Sequence, residues 1–458
     1  HSGRRDVRDE VAGRSAAADP RMKSADSPFA LPLLLLLLGA SAVNVPLPAP
    51  WNLAWLPGCA LLALGGCLLA GSLPGRIWVA GGCLLGLIFL YAWNPSHEWS
   101  AGRGLVPRAH WRGWPASADP AGTWATLRLG VAAFAAFASG FVLSRRQIRR
   151  LEGFVAVAAA AMALVVLAQR LEPNAPRIRA YTGIFVNENH YAVYANLLLP
   201  VVLAAAARAR FRAVQAGRPS SPAGLHLLAA GLAAAATVAC GSRAGVAVMA
   251  LLVAACVALH RRTVRDYPFA GIPASRGLKV AAGAAVAAVA GFAVRAFWSE
   301  WRHLGTIGKE WAFRSGILKD ALAAWQARPA WGIGPGAFPA VFPYYQSEAY
   351  AGLAIRHAHC EPVQFGVEYG GAGLLALAAI AALALSARKP VRAEPDEIPS
   401  FADFERRAFG LGLVACALHG VVDFPLRIPL LALIAAAWAG IWLGARPATP
   451  GAEPSGSG

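Results

Sequence analysis

Apolar runs of roughly 20 residues recur along almost the whole chain, separated by short polar or basic connections. A helix needs about 20 apolar residues to cross a hydrocarbon core ~30 Å thick, because it rises ~1.5 Å per residue. That rule places spans near 28–45, 52–72, 76–93, 122–143, 151–169, 186–207, 223–240, 244–260, 278–297, 362–386, 408–424 and 428–444. Runs as far apart as Phe29–Ala42, Ile77–Ala92 and Ala244–Leu259 carry the signal, so it does not reduce to one removable targeting peptide. The predicted fold is all-α: a polytopic transmembrane helical bundle of about 12 spans with one large, partly helical loop at 298–361. Within that loop Trp301, Trp311, Ile317, Leu318, Leu322 and Trp325 recur at helix-like spacing, before the breaker-rich WGIGPGAF at Trp331–Phe338. The spacing predicts an amphipathic helix lying at the membrane surface.

Charge orients the bundle. Only 14% of the 458 residues are charged, against roughly 25% in ordinary globular domains. The net charge of +18 would suggest nucleic acid in a soluble protein. Here many of the Lys and Arg occupy short connections, where they are retained in the cytoplasm, so the excess is a topology signal and no nucleic-acid partner is expected. Arg4 to Lys23, Arg76, Ser144–Arg150 (SRRQIRR), Arg208–Arg218, Arg261–Lys279, Arg388–Arg392 and Arg406–Arg407 all fall on one side of the twelve-span count. The expected organisation is a disordered cytoplasmic N-terminus at 1–27, nine spans over 28–297, the large outer loop at 298–361, three spans over 362–445, and a cytoplasmic tail at 446–458. The outer side then receives 94–121, 170–185, the turn at 241–243 and the long loop. Seven Cys show no CxxC or zinc-finger spacing, and those inside apolar runs read as small packing residues.

Candidate chemistry gathers on that outer side. Of ten His, His97, His110, His190, His303, His357, His359 and His419 fall there. Arg177, Arg179, Arg243 and Arg356 lie there against the retention rule, which points to anionic partners. A guanidinium presents a planar fork of donors suited to two phosphate oxygens at once. The plain alternative is arginine reaching to lipid headgroups, or pairing with Glu188, Glu361, Glu368 or Asp423. His357 and His359 share a face only in an extended segment. With Glu361 or Glu368 they also fit a metal reading, but spacing fixes no third ligand and no metal is expected. HExxH, Walker A, DxD and GxSxG motifs in a suitable context are absent.

Several short motifs occur in a fixed order: NPSHEW at Asn94–Trp99, GIFVNENHYA at Gly183–Ala192, GSRAG at Gly241–Gly245, GIGPGAF at Gly332–Phe338, RHAHCEPVQFGVEYGGAG at Arg356–Gly373 and HGVVDFPLRIP at His419–Pro429. In this the chain resembles the O-antigen ligase superfamily, which includes polysaccharide polymerases and protein-directed oligosaccharide transferases of bacterial inner membranes. The resemblance covers most of residues 91–444. Its strongest element is His359 followed by Gly370 and Gly373; Cys360 departs, standing where the ligases carry Asn, Ser or Gln.

The resemblance implies a metal-independent, cofactor-free inverting glycosyltransferase in the inner membrane with its active site facing the periplasm. It would move a glycan from a polyprenyl-diphosphate (undecaprenyl diphosphate) carrier to an acceptor hydroxyl on a lipid A-core sugar, a growing polysaccharide or a protein. His359 would be the catalytic base, and Arg179, Arg243, Arg177, Arg356, His357 and Glu368 would bind substrate. Arg356 is expected to favour the neutral imidazole, and Glu368 either to orient the segment or to cap its helix. The rival class is a secondary transporter or flippase, for which such a bundle is equally natural. Transporters place coupling residues near the midplane, whereas here Arg and His gather at one face.

Overall fold

A computed structural model describes residues 28–44, 56–69, 73–171, 182–218, 221–264, 275–299, 307–388 and 399–444. The helices are α1 (Ala30–Asn44), α2 (Leu56–Leu69), α3 (Gly75–Trp93), α4 (Pro120–Val142), α5 (Arg145–Leu171), α6 (Glu188–Gln215), α7 (Ala223–Ala239) and α8 (Arg243–Val264). They continue as α9 (Arg276–Ser299), α10 (Ile307–Ala327), α11 (Phe338–Val341), α12 (Glu361–Leu385), α13 (Pro399–Gly420) and α14 (Pro429–Gly444). Every predicted span overlaps one helix. Among the described residues six helices (α3, α4, α5, α6, α8 and α12) are long and apolar enough to cross a membrane, and shorter apolar stretches lie in α1, α2, α7, α9 and α14. The amphipathic segment of the long loop becomes α10.

Three differences from the sequence reading have physical causes. The fold is not purely helical: β1 (His97–Ser100) pairs antiparallel with β2 (Gly104–Pro107) in the connection before α4. Its tight turn needs Gly102 and Gly104, both at positive φ. Helix α5 begins at Arg145 rather than near 151, because the basic run continues the helix. Its Arg145 is buried and meets Glu405 of α13 at 2.9 Å. Helix α13 ends at Gly420, so Val421–Phe424 is a turn outside the helix.

Small residues let the helices approach closely, as membrane packing without a strong solvent drive requires. A Cβ on Gly140 of α4 would stand 2.4 Å from the Ala437 carbonyl of α14, so the two backbones are in direct contact. Helices α6 and α13 run antiparallel. Near the start of α6, Asn196 Nδ2 lies 3.1 Å from His419 Nε2 near the end of α13. Near the end of α6, Arg208 pairs with Glu405 near the start of α13, and also with Glu152 of α5.

Helix α12 is broken at Gly370 (φ 65°, ψ −177°), a conformation essentially reserved for glycine. The glycine-rich loop fills the break. Ile333 and Gly334 donate backbone bonds to the Val367 and Glu368 carbonyls at 3.0 and 2.9 Å, and Gly371 and Ala372 donate to Pro329 and Ala330 at 2.7 and 2.8 Å. Backbone groups freed by the break are thus paired within the protein, as a buried discontinuity demands.

Candidate active site

The chain leaves α13, turns through Val421–Phe424, makes a 3₁₀ turn at Pro425–Arg427 and enters α14. The Phe424 ring is the centre of the site. His357 stacks on it at 4.0 Å between centroids, and His190 and His359 meet it edge-on at 5.0 and 5.1 Å. The neighbouring Asp423 is buried, with Oδ1 accepting the Phe424 N–H at 2.9 Å and lying 3.9 Å from His359 Nδ1. That separation is a charge contact and too long for a hydrogen bond. Both His359 Nδ1 and Asp423 Oδ2 are buried atoms with no hydrogen-bond partner among the described residues. Buried polar atoms are normally paired, so these two atoms leave hydrogen-bonding capacity at the site.

His359 itself holds a positive φ of 53°, the one non-glycine among the described residues to do so. Such strain costs ~1–3 kcal/mol and persists only where the surroundings impose it. The imposed conformation leaves the imidazole 27% exposed, reachable from outside, while Asp423 behind it is closed off.

Gln364 holds the loop in place. Its Oε1 accepts the Ala358 N–H at 3.1 Å, and its Nε2 donates to Glu368 Oε1 at 3.1 Å and approaches His357 Nδ1 at 3.5 Å. Glu368, fully buried, receives Arg427 Nη1 on its other oxygen at 2.7 Å. Glu361 accepts the Leu426 N–H at 2.6 Å. The start of α12 and the segment before α14 are therefore tied by two buried carboxylates. From the opposite side, Asn187 caps α6 by accepting the Asn189 N–H, and Ser242 Oγ donates to Asn189 Oδ1 at 2.6 Å while accepting the Gly245 N–H at 3.0 Å. This joins the NENH and GSR motifs and sets Arg243 at the rim, where it pairs with Glu310 of α10 at 3.2 Å. Arg314, one turn further along α10, donates to the Val422 carbonyl at 2.6 Å.

Electrostatics keep the loop imidazoles neutral. Burial, then the Arg314 charge, lowers His359 to about 4. Burial, then Arg427, lowers His357 to about 3. Burial raises Asp423 to about 6, against the opposing pull of the Phe424 N–H, the Asn189 side chain and Arg314.

The structure thus brings His359 and His357 together, places Arg243 at the rim, and puts Glu368 behind the site as the partner of Arg427 rather than at an open position. Nor does Glu368 cap α12, whose N-cap is Cys360. Arg356 is exposed, and the cation acting on His359 is Arg314, because α10 folds back over the Val422 turn. Arg177 and Arg179 lie outside the described residues. Sequence reasoning missed Arg314, Phe424 and the grouping of His190 with the HxH pair. Each left a partial signal: Arg314 as one more basic residue in an outer loop, and His190 and Phe424 as members of the ordered GIFVNENHYA and HGVVDFPLRIP motifs. Among the described residues no three His, Cys, Asp or Glu side chains converge on a metal position.

Residues 228–378 match the family model of the O-antigen ligase. The O-antigen ligase superfamily implied by the motifs is therefore supported over the segment from α7 into α12. That segment contains the Ser-Arg turn, α10, the glycine-rich loop, His359 and the Gly370–Gly373 break. The Asn187–His190 and Asp423–Arg427 segments lie beyond it and are joined to it by the contacts above. No curated protein matches the chain.

Proposed function

We propose that this O-antigen ligase-type membrane protein transfers a glycan from a polyprenyl-diphosphate carrier to an acceptor hydroxyl at the periplasmic face of the inner membrane. The observation that carries this reading is the juxtaposition of a strained, reachable His359 with the closed-off Asp423, beside Arg314 and Arg243. An alcohol is a poor nucleophile until its proton is removed, and a neutral imidazole removes it. With Nδ1 turned to Asp423, His359 offers Nε2 to the acceptor proton. The acceptor oxygen forms its bond to the anomeric carbon as the bond to the diphosphate oxygen breaks, with inversion, and the electron pair leaves on the diphosphate. Asp423 stabilises the imidazolium as it forms, and Arg243 and Arg314 meet the charge of the leaving diphosphate. Arg177 and Arg179 belong to the same proposed anion site by sequence position.

The broken α12 is a feature that transporters also use. Here the backbone groups at the break are paired with the Pro329–Gly334 segment, which supports a structural role for the break over an ion site.

The test is a reconstituted transfer assay with a lipid-linked glycan. Proton-transfer catalysis by one group contributes about 10²–10⁴-fold, so His359→Ala loses at least about 100-fold while still inserting and binding donor lipid. His357→Phe, which keeps a ring stacked on Phe424, retains most activity. Near-normal turnover of His359→Ala removes it from the mechanism. In cells lacking the protein, accumulated long lipid-linked chains indicate ligation and accumulated single repeat units indicate polymerisation.

A further inference from the structure

The end of the bundle away from the histidines carries a second cavity. Along α6, Arg210 follows His190 by about 30 Å, and along α8, Arg261 follows Arg243 by about 27 Å, at ~1.5 Å per residue. That distance is about one hydrocarbon thickness. There α6, α7, α8 and α13 line a half-open cavity of about 470 Å³. Its wall is aliphatic and aromatic, with Leu203, Phe211, Leu227 and Val257, whereas among the described residues Arg210, His260 and Arg261 are its charged or titratable lining groups apart from the Cys256 thiol. Among the described residues no carboxylate lines it. His260 Nδ1 is a buried atom without a hydrogen-bond partner among the described residues. On the other flank of α8 a second groove of about 570 Å³ repeats the combination, with Val414 and Trp442 in its wall and Arg262 and Arg407 in its lining.

We propose that the α6–α7–α8–α13 cavity binds an anionic phospholipid of the leaflet opposite the histidine cluster, one acyl chain occupying the apolar cavity and the phosphodiester held by Arg210, His260 and Arg261. The chemistry decides between occupants. A free phosphate would use the basic groups and leave the apolar wall empty, and a zwitterionic lipid would fill the wall but set a cationic headgroup group among two arginines. A phosphodiester lipid with no headgroup cation satisfies both. The inference does not depend on glycan transfer, since the two sites lie on different leaflets.

The experiment uses the full chain purified in neutral detergent, with phosphatidylglycerol or phosphatidylcholine of identical acyl chains, and reads retained lipid by native mass spectrometry. Phosphatidylglycerol is expected to stay bound where phosphatidylcholine is washed off. A basic residue near an anionic headgroup contributes about fivefold in affinity, so Arg261→Gln and Arg210→Gln each weaken retention about fivefold and the double variant about 25-fold. Ala207→Phe, which fills the cavity without touching charge, also lowers retention, and Arg103→Gln on the distant hairpin does not. Arg261 is exposed, so its variant carries the test even if Arg210→Gln fails to fold. Equal retention of the two lipids, unchanged retention in the Arg261→Gln protein, or displacement of phosphatidylglycerol by inorganic phosphate at matching concentration would overturn the proposal.

Discussion

Replacing Gly370 with alanine tests whether the break in α12 is what holds the His359 loop. The glycine sits at φ 65°, ψ −177°, where a Cβ is strained by ~1–3 kcal/mol. The new methyl would also stand 2.3 Å from the Ala330 carbonyl oxygen and 2.5 Å from the Gly332 nitrogen. Those are backbone atoms of the loop that closes the break, so no side chain can swing away, and overpacking adds ~1–3 kcal/mol. The expected loss is therefore about 2–6 kcal/mol, a large part of the ~5–15 kcal/mol that typically separates folded from unfolded domains. Gly371→Ala is the matched control, because its nearest neighbour is the Pro329 oxygen at 3.5 Å, an ordinary contact, and its N–H is retained. Thermal and denaturant unfolding of the purified proteins in one detergent measures both. Gly370→Ala should melt well below Gly371→Ala, and its transfer activity should fall even below its melting temperature, because His359 hangs from the same half-helix. Equal stabilities within about 0.5 kcal/mol would refute the view that the break is fixed by backbone geometry.

Transfer should decline as pH falls through about 6, where Asp423 gains its proton and can no longer stabilise the imidazolium, and again near 4, where His359 itself protonates. The sign follows from the raised carboxyl, which is anionic only above its shifted value, and an Asp423→Asn protein should lose the upper limb of a kcat/KM profile; an unchanged limb argues against the pairing. Arg427→Met leaves Glu368 buried without its cation and should cost about 3–5 kcal/mol in unfolding measurements, whereas Arg427→Met with Glu368→Gln, which removes the charge and keeps an oxygen for Gln364 Nε2, should recover much of that. Failure of the double variant to recover would show that the carboxylate has another duty. Arg243→Lys should reduce transfer roughly 10- to 150-fold, as expected for losing a hydrogen bond to a charged group, and activity near normal in both Arg243→Lys and Arg243→Ala would reduce the residue to its exposed pair with Glu310, worth under about 1 kcal/mol.

The helices were legible because a bilayer imposes a length and a polarity that single segments must meet alone. Each apolar run declares itself without reference to its neighbours, and α10 announced itself through the spacing of Trp311, Ile317, Leu318, Leu322 and Trp325. His359 was singled out by the resemblance of its Gly370 and Gly373 spacing to the family motif, and the structure places a break of α12 at the first of those glycines. The hairpin at His97–Pro107 was hidden because four-residue strands carry little pattern. Arg314 and Phe424 were hidden for a different reason. Their importance lies in touching the His359 loop from positions 45 residues before and 65 after it, and no local periodicity encodes such a meeting. Arg356 misled through adjacency: a neighbour in sequence at an extended loop points away as readily as toward.

Because Phe424 and Asp423 close the site, its completion is a late event in the life of each molecule. His190 emerges from the ribosome and enters the bilayer more than 230 residues before the ring that it finally meets. Until the turn after α13 has been synthesised and seated, His357 has no face to stack on, Glu368 has no cation, and the imidazole of His359 has no carboxylate behind it. A chain cut short before residue 423 therefore keeps the Ser-Arg turn but, on the proposed reading, has no carboxylate behind His359 with which to activate an acceptor.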